Sequence, residues 1–269
     1  MRRGRRGRRL TRGGPARAGT LGDLQRKTRS RLTAPTGSSN LWPSWSRDGK
    51  RIIFASNRGG DWDIYSQPAD GSAPAEPLLK RRFDQFPVSI AADGTILYAE
   101  IHPETARDLW TLAPDGKTTQ VRVSNSNETA GQFRPGQEGA PRWIAYSADE
   151  SGRYEIYVQS YPQGTNKVAV SSGCGISPQW SRDGKQLFYV SGDALVAVAV
   201  GPDGSIVAAR RLFDRSAYQF RFNMNGWDIA PDGNRFLMVH RDPGSVPRQL
   251  NVIMNWFADL DRAAPLGIR

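Results

Sequence analysis

The chain has 269 residues, 38% of them apolar and 10% aromatic, with eight Trp, 28 Gly and 18 Pro. No run approaches the roughly 18 apolar residues of a membrane-spanning helix, and a single cysteine, Cys174, excludes an intramolecular disulfide. The formal charge of +11 sits wholly at the start: of 37 Lys/Arg and 26 Asp/Glu, residues 1–31 hold twelve and one, leaving 25 of each sign elsewhere.

The first 21 residues form an Arg/Gly-rich tail without an apolar pattern to bury, the composition of a disordered segment. Its Arg clusters are like the start of an export signal, but no apolar stretch of about 7–15 residues follows them. Such a tail offers at most non-specific contact with nucleic acid or anionic lipid, by counterion release. The neutral body carries no basic footprint for specific nucleic-acid binding. Leu24–Leu32 (LQRKTRSRL) then reads as a lone strand.

From residue 40 onward one pattern recurs: aromatic strand, tight turn, apolar strand. It appears as WPSWSRDGKRIIFAS (42–56), FPVSIAADGTILYAE (86–100), QFRPGQEGAPRWIAYS (132–147), ISPQWSRDGKQLFYVS (176–191) and GWDIAPDGNRFLMV (226–239). The turn acids Asp48, Asp93, Glu138, Asp183 and Asp232 are spaced by 45, 45, 45 and 49 residues. A third strand follows in each unit, at 62–66, 108–112, 154–158, 194–198 and 250–254. In most units a second Gly turn leads to a fourth strand. Asp-Gly favours short hairpins because the turn needs positive φ. Four antiparallel strands in roughly 40–45 residues make one propeller blade.

The predicted fold is therefore all-β, a β-propeller of about five four-stranded blades over residues 22–262. The repeats lie near 40–84, 85–127, 128–174, 175–222 and 223–262, followed by a short tail at 263–269. One blade exposes both faces, so stacking must bury them. Trp45, Trp143, Trp180, Phe54, Tyr98 and Tyr146 are placed to fill the spaces between blades. The last unit supplies three strands, and pairing of residues 24–32 with 250–254 would close the ring. An open arc of a larger ring is the alternative.

Catalytic chemistry finds little material. The two histidines, His102 and His240, lie in different repeats, and no G-x-S-x-G elbow exists. The segment SSGCG (171–175) reads as a loop. Zinc spacing, alternating calcium ligands and a phosphate-binding P-loop are all missing. The expectation is no catalytic residue, no metal and no cofactor. Loops leading into the first strands gather at one mouth of a propeller, and a loop aromatic is free to meet a partner. Trp42, Phe86, Gln132 and Phe222 are the candidate binding residues.

The segments WPSWSRDGKRIIFASNRGGDWDIY (42–65), WIAYSADESGRYEIYVQSYP (143–162) and ISPQWSRDGKQLFYVS (176–191) resemble the TolB-like, WD-like propellers of bacteria. The ending, with DIAPDGNRFLMV and NVIMNWFADL (251–260), is similar to the propeller that follows the kinase domain in bacterial membrane-anchored serine/threonine kinases. RPGQEGAP (134–141) departs from the family's short turn, and nothing before residue 22 resembles a kinase. The resemblance implies a non-catalytic module that binds a protein, peptide or cell-envelope ligand outside the cytoplasm. Two alternatives remain: a sensing or gating domain detached from a kinase or peptidase, and a hydrolase or lyase working in the channel.

Overall fold

The structure, a computed structural model, describes residues 20–23, 28–32, 37–122, 124–136, 142–219, 227–230, 235–240 and 251–253. Every regular element among them is a strand. A hairpin of β1 (Thr20–Asp23) and β2 (Thr28–Arg31) comes first. Four sheets follow in simple up-and-down order. They are β3 (Asn40–Trp45), β4 (Arg51–Ser56), β5 (Asp63–Pro68), β6 (Glu76–Leu79); then β7 (Asp84–Ile90), β8 (Ile96–His102), β9 (Ala106–Leu112), β10 (Thr118–Arg122). Next come β11 (Glu128–Phe133), β12 (Trp143–Ala148), β13 (Glu155–Ser160), β14 (Lys167–Ala169), and β15 (Ile176–Trp180), β16 (Gln186–Ser191), β17 (Ala194–Val200), β18 (Ile206–Asp214). In the last sheet β19 (Tyr218–Gln219) and β20 (Trp227–Ile229) lie end to end along β21 (Phe236–His240), whose other edge pairs with β22 (Asn251–Ile253).

Turn chemistry explains the period. Asp48, Asp70, Asp93, Asp115, Asp183 and Asp203 each accept, at Oδ1, the backbone N–H two residues on, at 2.9–3.1 Å. The Gly after each has φ between +67° and +88°, a region that side chains with a Cβ avoid. These acids are thus turn-formers. Glu138 and Asp232 lie outside the described residues.

The core is a series of seams between neighbouring sheets. Ile53 and Ile64 meet Ile96 and Tyr98; Leu97 and Leu109 meet Ile144 and Tyr146. Ile156 and Val158 meet Leu187 and Val196, and Phe188 and Leu195 meet Trp227 and Phe236. Burying each such side chain contributes about 1.5–3 kcal/mol. Trp143, Trp180, Phe54, Tyr98 and Tyr146 are buried as expected.

Trp45 is not: it is 55% exposed, whereas Trp180, its counterpart three blades later, is 6% exposed. The Trp at this position packs back on the preceding blade. Trp180 donates its indole N–H to Gln132 O at 3.3 Å and lies under the Arg134 guanidinium. No described sheet stands in that place for Trp45.

The expected clasp also differs. Thr28–Arg31 pairs with Thr20–Asp23, and among the described residues no pairing of that strand with the last blade is seen; residues 24–27 and 254 of the expected clasp lie outside the described residues. Leu32, just after β2, packs on Ile52, Phe54 and Tyr65 of the first blade, and its carbonyl accepts Gln67 Nε2–H at 2.9 Å. Leu32 therefore covers part of the first blade's face.

Candidate binding site in the central channel

The first strand of each blade breaks register near its middle. Shifts fall between Leu41 and Ser44, Pro87 and Ser89, Thr129 and Gln132, and Ile176 and Gln179. In three of the four, the skipped residue is left-handed without being Gly: Trp42 (φ 56°), Ala130 (φ 52°) and Ser177 (φ 54°). A bulge of this kind bends the strand and re-aims the side chains beyond it. Three non-Gly residues in one strained conformation at one repeat position are held there by their surroundings.

What the bulge re-aims is a ring. The first paired residue after each shift is Ser44, Ser89, Gln132 or Gln179, and the register-equivalent residue of the last blade is Asp228. All five line one cavity of about 520 Å³, together with Trp45 and Trp227. Each blade thus presents one polar side chain to the channel. Ser89 Oγ accepts the Phe133 N–H at 3.2 Å and Gln132 Nε2 donates to Val88 O at 3.3 Å, so the ring also stitches the second and third blades. The cavity continues past Leu237 and Val239 of β21. Burial raises the pKa of Asp228, countered only by the N–H of Ile229.

The rim opposite the Asp turns is built differently. In the first three blades an acid at the start of the third strand grips the loop leading to the next blade: Asp63 takes the N–H of Arg81, Asp108 that of Ser124, and Glu155 that of Gly173 at 2.6 Å. Across the second blade, Gln85, Glu100 and Asp108 stand directly opposite one another, all buried. Burial raises the pKa of Asp63, Glu100 and Asp108. Arg81 offsets part of this, lying 3.2 Å from Glu100, donating to Tyr98 OH at 2.9 Å and covering the Trp110 ring.

Of the residues singled out from sequence, Trp42, Phe86 and Gln132 lie within β3, β7 and β11 rather than in the loops before them. Trp42 and Phe86 come together, ring centroids 5.2 Å apart, with Trp62 5.7 Å from Phe86. Phe86 is buried. Gln132 belongs to the channel ring, and Phe222 lies outside the described residues. Four ring members escaped the sequence reading. Their signal is position: each stands four residues before its turn acid, and Gln132 six before Glu138 because the loop there is longer. His102 packs edge-on against Phe83 and His240 against Tyr218. Among the described residues no three His, Cys, Asp or Glu side chains gather as a metal site would require.

No protein-family model matches the chain. A TolB homologue of Chlorobium luteolum is 30% identical over 146 residues, 53% of this chain and 32% of that protein. The chain therefore matches about a third of that relative's length. Solved TolB structures share the fold. That from Agrobacterium tumefaciens has a TM-score of 0.63 at 18% identity, covering 77% of this chain and 76% of that one. That from Acinetobacter baumannii has a TM-score of 0.67 at 14% identity, covering 88% and 56%. This chain has the β-propeller fold of TolB. TolB-like propellers share their architecture with parts of enzymes: a puromycin-hydrolysing peptidase of Mycobacterium tuberculosis has a TM-score of 0.54 at 17% identity, covering 87% of this chain and 41% of that one. Among the described residues no helix is long and apolar enough to cross a membrane.

Proposed function

We propose that this TolB-like propeller is a non-catalytic module that binds a protein or peptide partner in its channel. The observation that carries the reading is the ring of five polar side chains, one per blade, lining a cavity of about 520 Å³, a size common for ligand sites. Strand ends around such a channel offer hydrogen-bonding side chains and one large exposed indole, Trp45, and among the described residues that line it there is no paired acid and base of the kind hydrolysis or elimination needs. Trp42, half-buried in β3, is a further candidate contact. The likeness to TolB homologues supports a partner in the cell envelope.

The test is a channel plug. Peptides selected from a random library on the full chain should lose at least about tenfold in affinity when Gln179→Trp fills the ring. Undiminished binding to the plugged variant would move the site elsewhere. A second reading has one observation in its favour: the fold match covers 41% of a larger peptidase, so propellers of this shape accompany catalytic domains. In that reading the chain gates or senses for a peptidase or a serine/threonine kinase domain. Peptide binding that changes the activity of such a domain, added in trans, is its test.

A further inference from the structure

The five ring positions differ in one respect. Ser44, Ser89, Gln132 and Gln179 are neutral, and among the described residues Asp228 is the only ionisable side chain that lines the cavity. Among the described residues its carboxylate accepts one hydrogen bond, from the N–H of the adjoining Ile229 at 2.8 Å, and no charged side chain acts on it. Protein surrounds it closely enough that burial raises its pKa, yet it faces open channel. Among the described residues this carboxylate therefore has no counter-charge. The same cavity is lined by Trp45, which is 55% exposed, while the indole of Trp227, the chain neighbour of Asp228, is buried against Phe236. Indole faces attract cations, and partial desolvation strengthens the attraction.

We propose that the channel selects a partner by a cationic side chain, a lysine ammonium or an arginine guanidinium, that pairs with Asp228 in the cavity that Trp45 also lines. The inference rests on the channel being the binding site. Sign excludes an acidic group, since a second negative charge in a half-desolvated channel would be repelled. A divalent metal is a poorer match, because one carboxylate and neutral amides and hydroxyls give too few charged oxygen ligands. The ring's hydroxyls and amides suit the backbone on either side of the cation.

Three peptides identical except for a central Lys, norleucine or Glu, titrated into the full chain by calorimetry and tryptophan fluorescence, decide it. The Lys peptide should bind about tenfold or more tighter than the norleucine peptide, and the Glu peptide weakest of all. Asp228→Asn should bring the Lys peptide down to the norleucine level and leave the norleucine peptide unchanged. Asp228→Glu, which keeps the charge, should restore part of the preference; thermal melts of both variants check that the fold survives. Equal binding of Lys and norleucine peptides, with both lost in Gln179→Trp, would overturn the cation preference while leaving the channel as the site. No binding of any of the three would overturn the preference and the channel reading together.

Discussion

Among single side chains, Arg134 shows how a departure from the repeat is used. The third blade carries RPGQEGAP where its neighbours carry a short Asp-Gly turn. Its first residue reaches across to the fourth blade, donating to Gly184 O and Gly201 O at 2.7 Å and to Val200 O at 3.0 Å, over the Trp180 ring. A Cβ on Gly136 would stand 2.7 Å from Asp183 O, so the two loops are in close contact. Arg134→Ala, which removes three charge-assisted bonds from a buried site, should cost about 3 kcal/mol in urea unfolding. Acid titration provides a second check at this scale. Burial raises the pKa of Asp63, Glu100, Asp108 and Asp228, so the folded state takes up protons before the unfolded chain does. Stability should therefore rise as pH falls through these raised values toward the ordinary 3.8 of Asp and 4.5 of Glu. Asp48, Asp70, Asp183, Asp203 and Asp214 are held below 3.8 by the hydrogen bonds they accept, chiefly from the following Ser, Lys or preceding Ser groups. Their contribution is present above 3.8 and is lost as pH falls further. Melting temperature should pass through a maximum on the acid side of neutrality; a monotonic fall from neutral pH would contradict the burial of the first group.

At the level of elements, the first two blades are each built by two acids with different tasks. One closes the turn between the first two strands, and the other opens the third strand and holds the loop to the next blade. The first was legible from sequence because Asp-Gly at a 45-residue period has a single chemical meaning. The second was hidden, because Asp63, Asp108 and Glu155 act on backbone N–H groups 16 to 18 residues away, and nothing local marks that pairing. Glu155→Ala should free the loop at 170–175, costing about 1–2 kcal/mol and exposing it to limited proteolysis. Glu76→Ala, removing an exposed partner of Arg51, should change stability by less than about 0.5 kcal/mol. The channel ring was concealed for a related reason. Ser, Ser, Gln, Gln and Asp share no identity, and only their common register beyond the bulge makes them one feature.

For the whole molecule, the informative comparison is between two nearly identical stretches, SWSRDGK at 44–50 and QWSRDGK at 179–185. Both form the same strand and the same turn, with Ser46 and Ser181 each donating to the turn Asp at 2.6 Å. Yet Trp180 is buried in a seam with Trp143, Leu187 and Val198, while Trp45 stands open at the channel. Local sequence dictates blade construction; which blades have neighbours is a property of the arc and has no local signature. The pair therefore reports on closure. Trp180→Ala should cost about 3–5 kcal/mol, the range for emptying a large buried site. Trp45→Ala should cost less than about 1 kcal/mol, as for a surface substitution, while weakening any ligand that enters the channel. Equal losses in parallel urea titrations would mean that in solution a further sheet covers the first blade as the third blade covers Trp180, and that the arc is closed.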